Sequence, residues 1–293
     1  MLTGIAHLEM RVRDLAACRS LYGEQLGLEE LAYGDGLSMF AIGDSVLELH
    51  EDADAVTSLL PSGERKDPRD VPGSVGHFAF YTADNHEAFR VLKESLVSTQ
   101  LVTPDGPSVQ PMDHAYMQRS LLQVDDPDGY VLQIADLIDP REHLKGRLDE
   151  KRARASGSGP GLLQGFDHVQ IVCSDVGAKR DFFGRKLGLE ELSHRTETVP
   201  AVEGFEESVF AAGMTDLELT QSESTRRRQG GPGAVSALGF WTDDIARTYD
   251  ELAQKGVAVG DPPSVRTPLP GMSRQAFALK GLEDLPLEIA QRI

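Results

Sequence analysis

The chain has 293 residues, 40% of them hydrophobic and 26% charged, with a formal net charge of −18, which is long enough for two domains that each bury a real core. The acidic surplus, −15 of it within residues 1–150, argues against nucleic acid, whose phosphates reward Lys and Arg, and against an anionic membrane surface. Two cysteines, Cys18 and Cys173, form no disulfide framework or metal cluster; the N-terminus lacks a signal pattern, and no apolar run approaches the ~18 residues of a membrane span. A cytoplasmic protein with a small-molecule substrate or ligand is therefore expected, with no nucleic-acid or membrane partner and with room for a homodimer.

The segment HLEMRVRDLAACRSLYGEQLGLEEL, from His7 to Leu31, returns as HVQIVCSDVGAKRDFFGRKLGLEEL, from His168 to Leu192, without a gap at an offset of 161. In the first copy IAHLEMRV alternates as a strand, with Ile5, His7, Glu9 and Arg11 on one face. Asp14 is suited to cap the helix that follows. Leu15, Cys18, Leu21, Tyr22 and Leu26 form its apolar stripe, and Gly27 ends it. Three strands are predicted next, LEELAYG, LSMFAIG and SVLELHE. The unit is β-α-β-β-β.

A second unit begins at GHFAFYTAD, continues through a helix over HEAFRVLKESL, and closes with SLLQV and GYVLQIADL around the turn DDPDG. The charged run REHLKGRLDEKRARASGSGPG reads as an exposed linker with helical character. The scheme then repeats with DHVQIVCSD, a helix from Asp175, FEESVFAAG and TDLELTQS, and once more from ALGFWTDD to LPLEIAQ. Boundaries fall at 1–138 for a first domain (modules about 1–60 and 72–138), 139–161 for the linker, and 162–293 for a second domain (modules about 162–225 and 233–293). Modules of this size must bury their faces against one another.

The pattern His-x6-Asp before a helix ending in aromatic-Gly…Leu-Gly-Leu, together with SVLELHE, TDLELTQ and DPDGYVLQIADL, resembles the vicinal-oxygen-chelate superfamily. That group includes glyoxalase I, methylmalonyl-CoA epimerase, fosfomycin-resistance and bleomycin-binding proteins, and type I extradiol dioxygenases. The resemblance covers nearly the whole chain apart from the linker. It implies an α+β fold of four β-α-β-β-β modules, paired into two open, curved-sheet half-barrel domains. It further implies a divalent metal (Zn, Ni, Co, Mn or Fe(II)) held by side chains from the first and last strand of each module. The matching positions are His7, Glu48, His77 and Gln133 in the first half, and His168, Glu218, Ala237 and Glu288 in the second. Imidazole and carboxylate suit such metals. Gln133 is a softer donor of a kind that glyoxalase-like and epimerase-like members tolerate, whereas Ala237 leaves the second set short of an imidazole.

If modules pair first with fourth and second with third, the sets become His7, Glu48, Glu288 and His77, Gln133, His168, Glu218, the latter being the stronger. By the same resemblance Glu48 and Glu288 are the candidate proton-transfer carboxylates, and Arg11 a clamp for a substrate anion. His50 and His114 are reserve ligands, and Arg226 to Arg228 a loop that could recruit an anion. The reading is a divalent-metal-dependent glyoxalase-like lyase or isomerase acting on a small oxygenated substrate. The alternatives are a ring-cleaving Fe(II) dioxygenase and a metal-free binding protein.

Overall fold

In the computed structural model, which describes residues 2–55, 75–95, 102–109, 117–157, 162–196, 204–222, 235–282 and 285–293, the duplicated phrase becomes the same local structure twice. Asp14 Oδ1 accepts the Ala17 amide and Asp175 Oδ1 the Ala178 amide, both at 2.8 Å. Each helix begins as α (α1, Leu15–Arg19; the second copy at Val176–Arg180) and widens into a π turn, with Leu26 N donating to Leu21 O and Leu187 N to Phe182 O. The Gly after the aromatic is needed for close approach. A Cβ on Gly23 would lie 3.2 Å from the Phe40 ring, and one on Gly184 3.3 Å from the Phe210 ring.

Module one contains β1 (Leu2–Val12), α1, β2 (Glu30–Gly34), β3 (Leu37–Ile42) and β4 (Ser45–Glu51). Module two contains β5 (Val75–Tyr81), α2 (Asn85–Ser95), β6 (Ser108–Val109), β7 (Met117–Asp125) and β8 (Val131–Pro140). The linker carries α3 (Lys145–Gly157). Module three follows with β9 (Phe166–Val172), α4 (Val176–Arg180), β10 (Glu190–Arg195), β11 (Glu206–Ala212) and β12 (Thr215–Gln221). Module four has β13 (Val235–Thr242), α5 (Ile245–Gln254), β14 (Ala258–Val259), β15 (Ser264–Leu269), β16 (Met272–Leu282) and β17 (Leu285–Arg292).

The four modules make two curved, open sheets in an α+β fold. One runs β14-β16-β17-β13-β1-β4-β3-β2, with β15 on β16; the other runs β10-β11-β12-β9-β5-β8-β7-β6. Module one is thus joined to module four by antiparallel pairing of β1 with β13, and module two to module three by β5 with β9. Each sheet takes one module from each half of the chain. Strand parity sorts the side chains. Leu8, Met10, Leu47 and Leu49 pack with Leu15, Cys18, Leu21 and Tyr22 of the helix into the main core, while His7, Glu9 and Glu48 face the opposite side. Both Cys18 and Cys173 are buried.

The linker is helical and largely exposed, but it is seated by three buried side chains. Leu144 and Leu148 are buried with Tyr81, Met117, Leu137 and Val209, and Lys151 is only 5% exposed. The charged run conceals the two leucines that seat it. Among the described residues no helix is long and apolar enough to cross a membrane.

Candidate metal centre

The central strands of the β5–β12 sheet bring four sequence-predicted residues to one face. Ala79 of β5 pairs with His168 on one side and with Gln133 on the other, while His77, two residues earlier, pairs with Gln170. Glu218 stands on β12, beside β9, opposite Gln170. The ligand atoms of His77, His168 and Glu218 all lie within 4.8 Å of one another. The two imidazoles meet Nε2 to Nε2 at 3.0 Å, edge to face. His168 and Glu218 are buried, and Gln133 is 8% exposed.

A bulge explains how His168 is aimed. The β5–β9 register skips between Ala79↔His168 and Phe80↔Phe166. This leaves Asp167 as the extra residue, a device that redirects a side chain. Asp167 Oδ2 lies 2.7 Å from His168 Nδ1. A carboxylate there holds the proton on Nδ1 and leaves the Nε2 lone pair facing the site, the arrangement that supports histidine ligands.

Behind these residues lies a buried charge network. Arg119 of β7 donates from Nε to Asp167 Oδ2 at 2.6 Å and from Nη2 to Asp216 Oδ2 at 3.3 Å, and its Nη1 is 3.6 Å from Glu218 Oε1. From α3, Lys151 reaches Asp167 at 3.2 Å and Asp216 at 2.9 Å, and Arg147 also donates to Asp216. Burial would raise both aspartates, but Arg119 and Lys151, with His168 at Asp167 and Arg147 at Asp216, hold them below the usual carboxylate range. Nearby Glu207 is pushed up by burial and by the charge of Glu218, although Arg195 donates to it at 2.7 Å.

The corresponding face of the other sheet gathers His7, Glu48 and Glu288 around an arginine. Arg274 Nη1 donates to Glu48 Oε1 at 2.5 Å and its Nε to Glu288 Oε1 at 2.9 Å. Arg266 Nη1 is 2.6 Å from Glu288 Oε2, and His7 Nε2 is 3.8 Å from Glu288 Oε1. Burial raises Glu48, yet His50, His7 and Arg274 together pull it down to about 2; Glu288 is raised, chiefly by burial, despite its two guanidinium partners. Burial lowers His7 to about 4.

Of the remaining predicted residues, Arg11 forms an exposed ion pair with Asp52 at 3.3 Å. His50 lies at 3.8 Å from Glu48 and 3.9 Å from Glu9. His114 and Arg226 to Arg228 lie outside the described residues. Sequence reasoning missed Arg119, Lys151, Asp167, Asp216 and Arg274. One signal was available: Met-x-Arg recurs at Met117–Arg119 and Met272–Arg274, each Arg standing fourteen residues before the last-strand position, Gln133 or Glu288.

The sequence profile of the Glyoxalase/Bleomycin resistance protein/Dioxygenase superfamily matches residues 4–134 and 165–278. The chain belongs to that superfamily. Among solved structures, glyoxalase I from Zea mays is similar over 98% of this chain and 92% of its own, at 17% identity and a TM-score of 0.62. A "putative dioxygenase" from Bacillus subtilis subsp. subtilis str. 168 is similar over 99% of this chain and 85% of its own, at 16% identity and a TM-score of 0.65. At such identities the likeness is one of fold. No curated protein sequence gives a significant match.

The donors of the β5–β12 sheet fit a divalent ion. The ligand atoms of His77, His168 and Glu218 lie close enough to one another to be shared by one ion. Glu218 adds charge, and Gln133 a neutral oxygen, to a set suited to Zn²⁺, Co²⁺, Mn²⁺, Ni²⁺ or Fe²⁺.

Proposed function

We propose that this chain is a divalent-metal-dependent enzyme whose centre is His77, Gln133, His168 and Glu218, and that it acts by proton transfer on a small substrate with two adjacent oxygens. The observation that supports this most is the facing pair of imidazoles with Asp167 behind one of them. A bound metal would supply Lewis-acid polarisation of the substrate oxygens, acidifying an adjacent C–H. The protein's own part follows from its side chains. Asp167 keeps His168 in one tautomer and one orientation. Gln133 stands where a carboxylate would otherwise be, so Glu218 is the only carboxylate among the four and is the group to accept the proton at its Oε atoms. Arg119 Nη1, 3.6 Å from Glu218 Oε1, holds that carboxylate in place. Glu48 and Glu288, the other candidate carboxylates, are assigned here to holding Arg274.

A second reading rests on the same geometry. Two imidazoles and one carboxylate are also the donor set of non-haem Fe(II) oxygenases, and His77 provides the imidazole that Ala237 lacks. One experiment separates the readings. The metal-reconstituted protein is incubated in deuterium oxide with α-hydroxy and α-keto carbonyl compounds, and separately, with Fe(II), with catechols under an oxygen electrode. Deuterium uptake at the carbon next to the carbonyl, lost in Glu218→Gln, supports proton transfer. Oxygen consumption with ring opening supports the dioxygenase. A metal-free protein inert in both assays contradicts both.

A further inference from the structure

The two clefts are built on one plan with different outcomes. His7 corresponds to His168, Glu48 to Glu218, and Glu288 to Gln133. Arg274 corresponds to Arg119, since each faces the residue four beyond that last-strand position, Arg292 or Leu137. Even the bulge recurs: the β1–β13 register skips between Ile5↔Phe240 and His7↔Gly239, leaving Ala6 where the other cleft has Asp167. Asp216, two residues before Glu218, corresponds to Val46, and His77 to Ala237.

These exchanges decide where each guanidinium lies. Arg119 is drawn back by Asp167 and Asp216. At Arg274 the corresponding residues are Ala6 and Val46, which offer no anion, and the guanidinium lies forward between Glu48 and Glu288. His7 also differs from His168. Its Nδ1 is buried with no hydrogen-bond partner among the described residues, and its ring lies against Gly239, where an added Cβ would be 2.1 Å from His7 Cε1. Ala237 gives the ring no second imidazole to meet.

We infer that Arg274 is the resident cation of the His7–Glu48–Glu288 cleft, holding its two carboxylates in place of a divalent metal, so that the chain has a latent second metal site that removal of this one guanidinium exposes. With the guanidinium gone, one imidazole and two carboxylates would be left to close on an ion, and such a donor set suits Zn²⁺ or Co²⁺. The inference concerns the cleft that the proposed function leaves aside. The charge is balanced without a metal: Arg274 and Arg266 answer Glu48 and Glu288, and a divalent ion would have to enter against the guanidinium.

The test is a cobalt count. Chelator-stripped protein is reloaded with Co²⁺, desalted, and its metal content measured by elemental analysis. The proteins are wild type, His7→Ala, His168→Ala, Arg274→Gln and the double variant Arg274→Gln/His168→Ala, each with its circular dichroism and thermal unfolding recorded. The expected contents are about one, one, none, two and one ion per chain. Cobalt lost from wild type by His7→Ala would overturn the inference without any Arg274 variant being needed. So would a folded double variant that takes up no more cobalt than His168→Ala. A wild type that takes none would instead sink the proposed centre at His77 and His168, while a gain of one ion in Arg274→Gln would still uphold the resident cation.

Discussion

Arg119 and Arg274 occupy the same place in their modules, yet one guanidinium is turned back onto Asp167 and Asp216 and the other is held between Glu48 and Glu288. Their neighbours set this difference. A buried guanidinium must meet carboxylates, and the two clefts supply different ones, chiefly Asp167 and Asp216 at Arg119 and Glu48 and Glu288 at Arg274. The duplicated strand-and-helix phrase therefore builds two similar scaffolds whose polar interiors differ in kind.

Asp167 should govern metal affinity without touching the metal. Replacing Asp167 with Asn removes the anion that fixes the His168 tautomer, and a 10–100-fold weaker divalent affinity is expected, the usual loss when such a partner is removed. Titration calorimetry with Co²⁺ measures it. An unchanged affinity would place the control of His168 elsewhere.

Arg119 holds two fully buried carboxylates, and Arg119→Met leaves both with reduced compensation. Loss of one partner from a buried ion network costs roughly 3–5 kcal/mol, and Lys151 and Arg147 should soften that here. Urea unfolding should report a lower midpoint with an unchanged slope. Lys151→Met should act in the same direction, because α3 contributes to the same pair of aspartates.

His7 sets an acid limit on stability. Its native pKa of about 4 lies below the unfolded value of 6.5, so the unfolded chain binds the extra proton between those values. Its contribution is fully present above pH ~6.5 and is lost as the pH falls towards 4, by roughly 3 kcal/mol at most. Denaturant unfolding from pH 7 to 4 should show this slope, shallower in His7→Gln. Equal slopes would contradict the assignment.

Gly239 is required by His7. Gly239→Ala brings a Cβ into the imidazole, and overpacking of this kind costs about 1–3 kcal/mol. Adding His7→Ala should recover most of that loss, a coupling that a double-mutant cycle on thermal unfolding measures. No recovery would mean that the clash is relieved through the backbone.

The modules were legible because they rest on local signals: strand alternation in IAHLEMRV, the caps Asp14 and Asp175, and the Gly after each aromatic. The candidate positions could be read as a set through the resemblance and strand parity. Which candidates share a cleft could not, because the pairing of β5 with β9 joins residues such as His77 and His168, 91 positions apart, that no local pattern connects. The arginines were harder still. Arg119 and Arg274 look alike in sequence, and only the residues brought beside them from other strands, Asp167 and Asp216 or Ala6 and Val46, decide their direction. The linker's helical, exposed character was legible from its charges, but the inward-facing Leu144, Leu148 and Lys151 that seat it were not, because those charges dominate its composition.

The proposed centre at His77 and His168 is tested most directly by calorimetric titration of stripped protein with Mn²⁺ or Co²⁺, repeated for His77→Ala, His168→Ala and His7→Ala. The expected result is one ion per wild-type chain, binding weakened by orders of magnitude in His77→Ala and His168→Ala, and binding unchanged in His7→Ala. Binding that survives both His77→Ala and His168→Ala, or that disappears with His7→Ala, would contradict it.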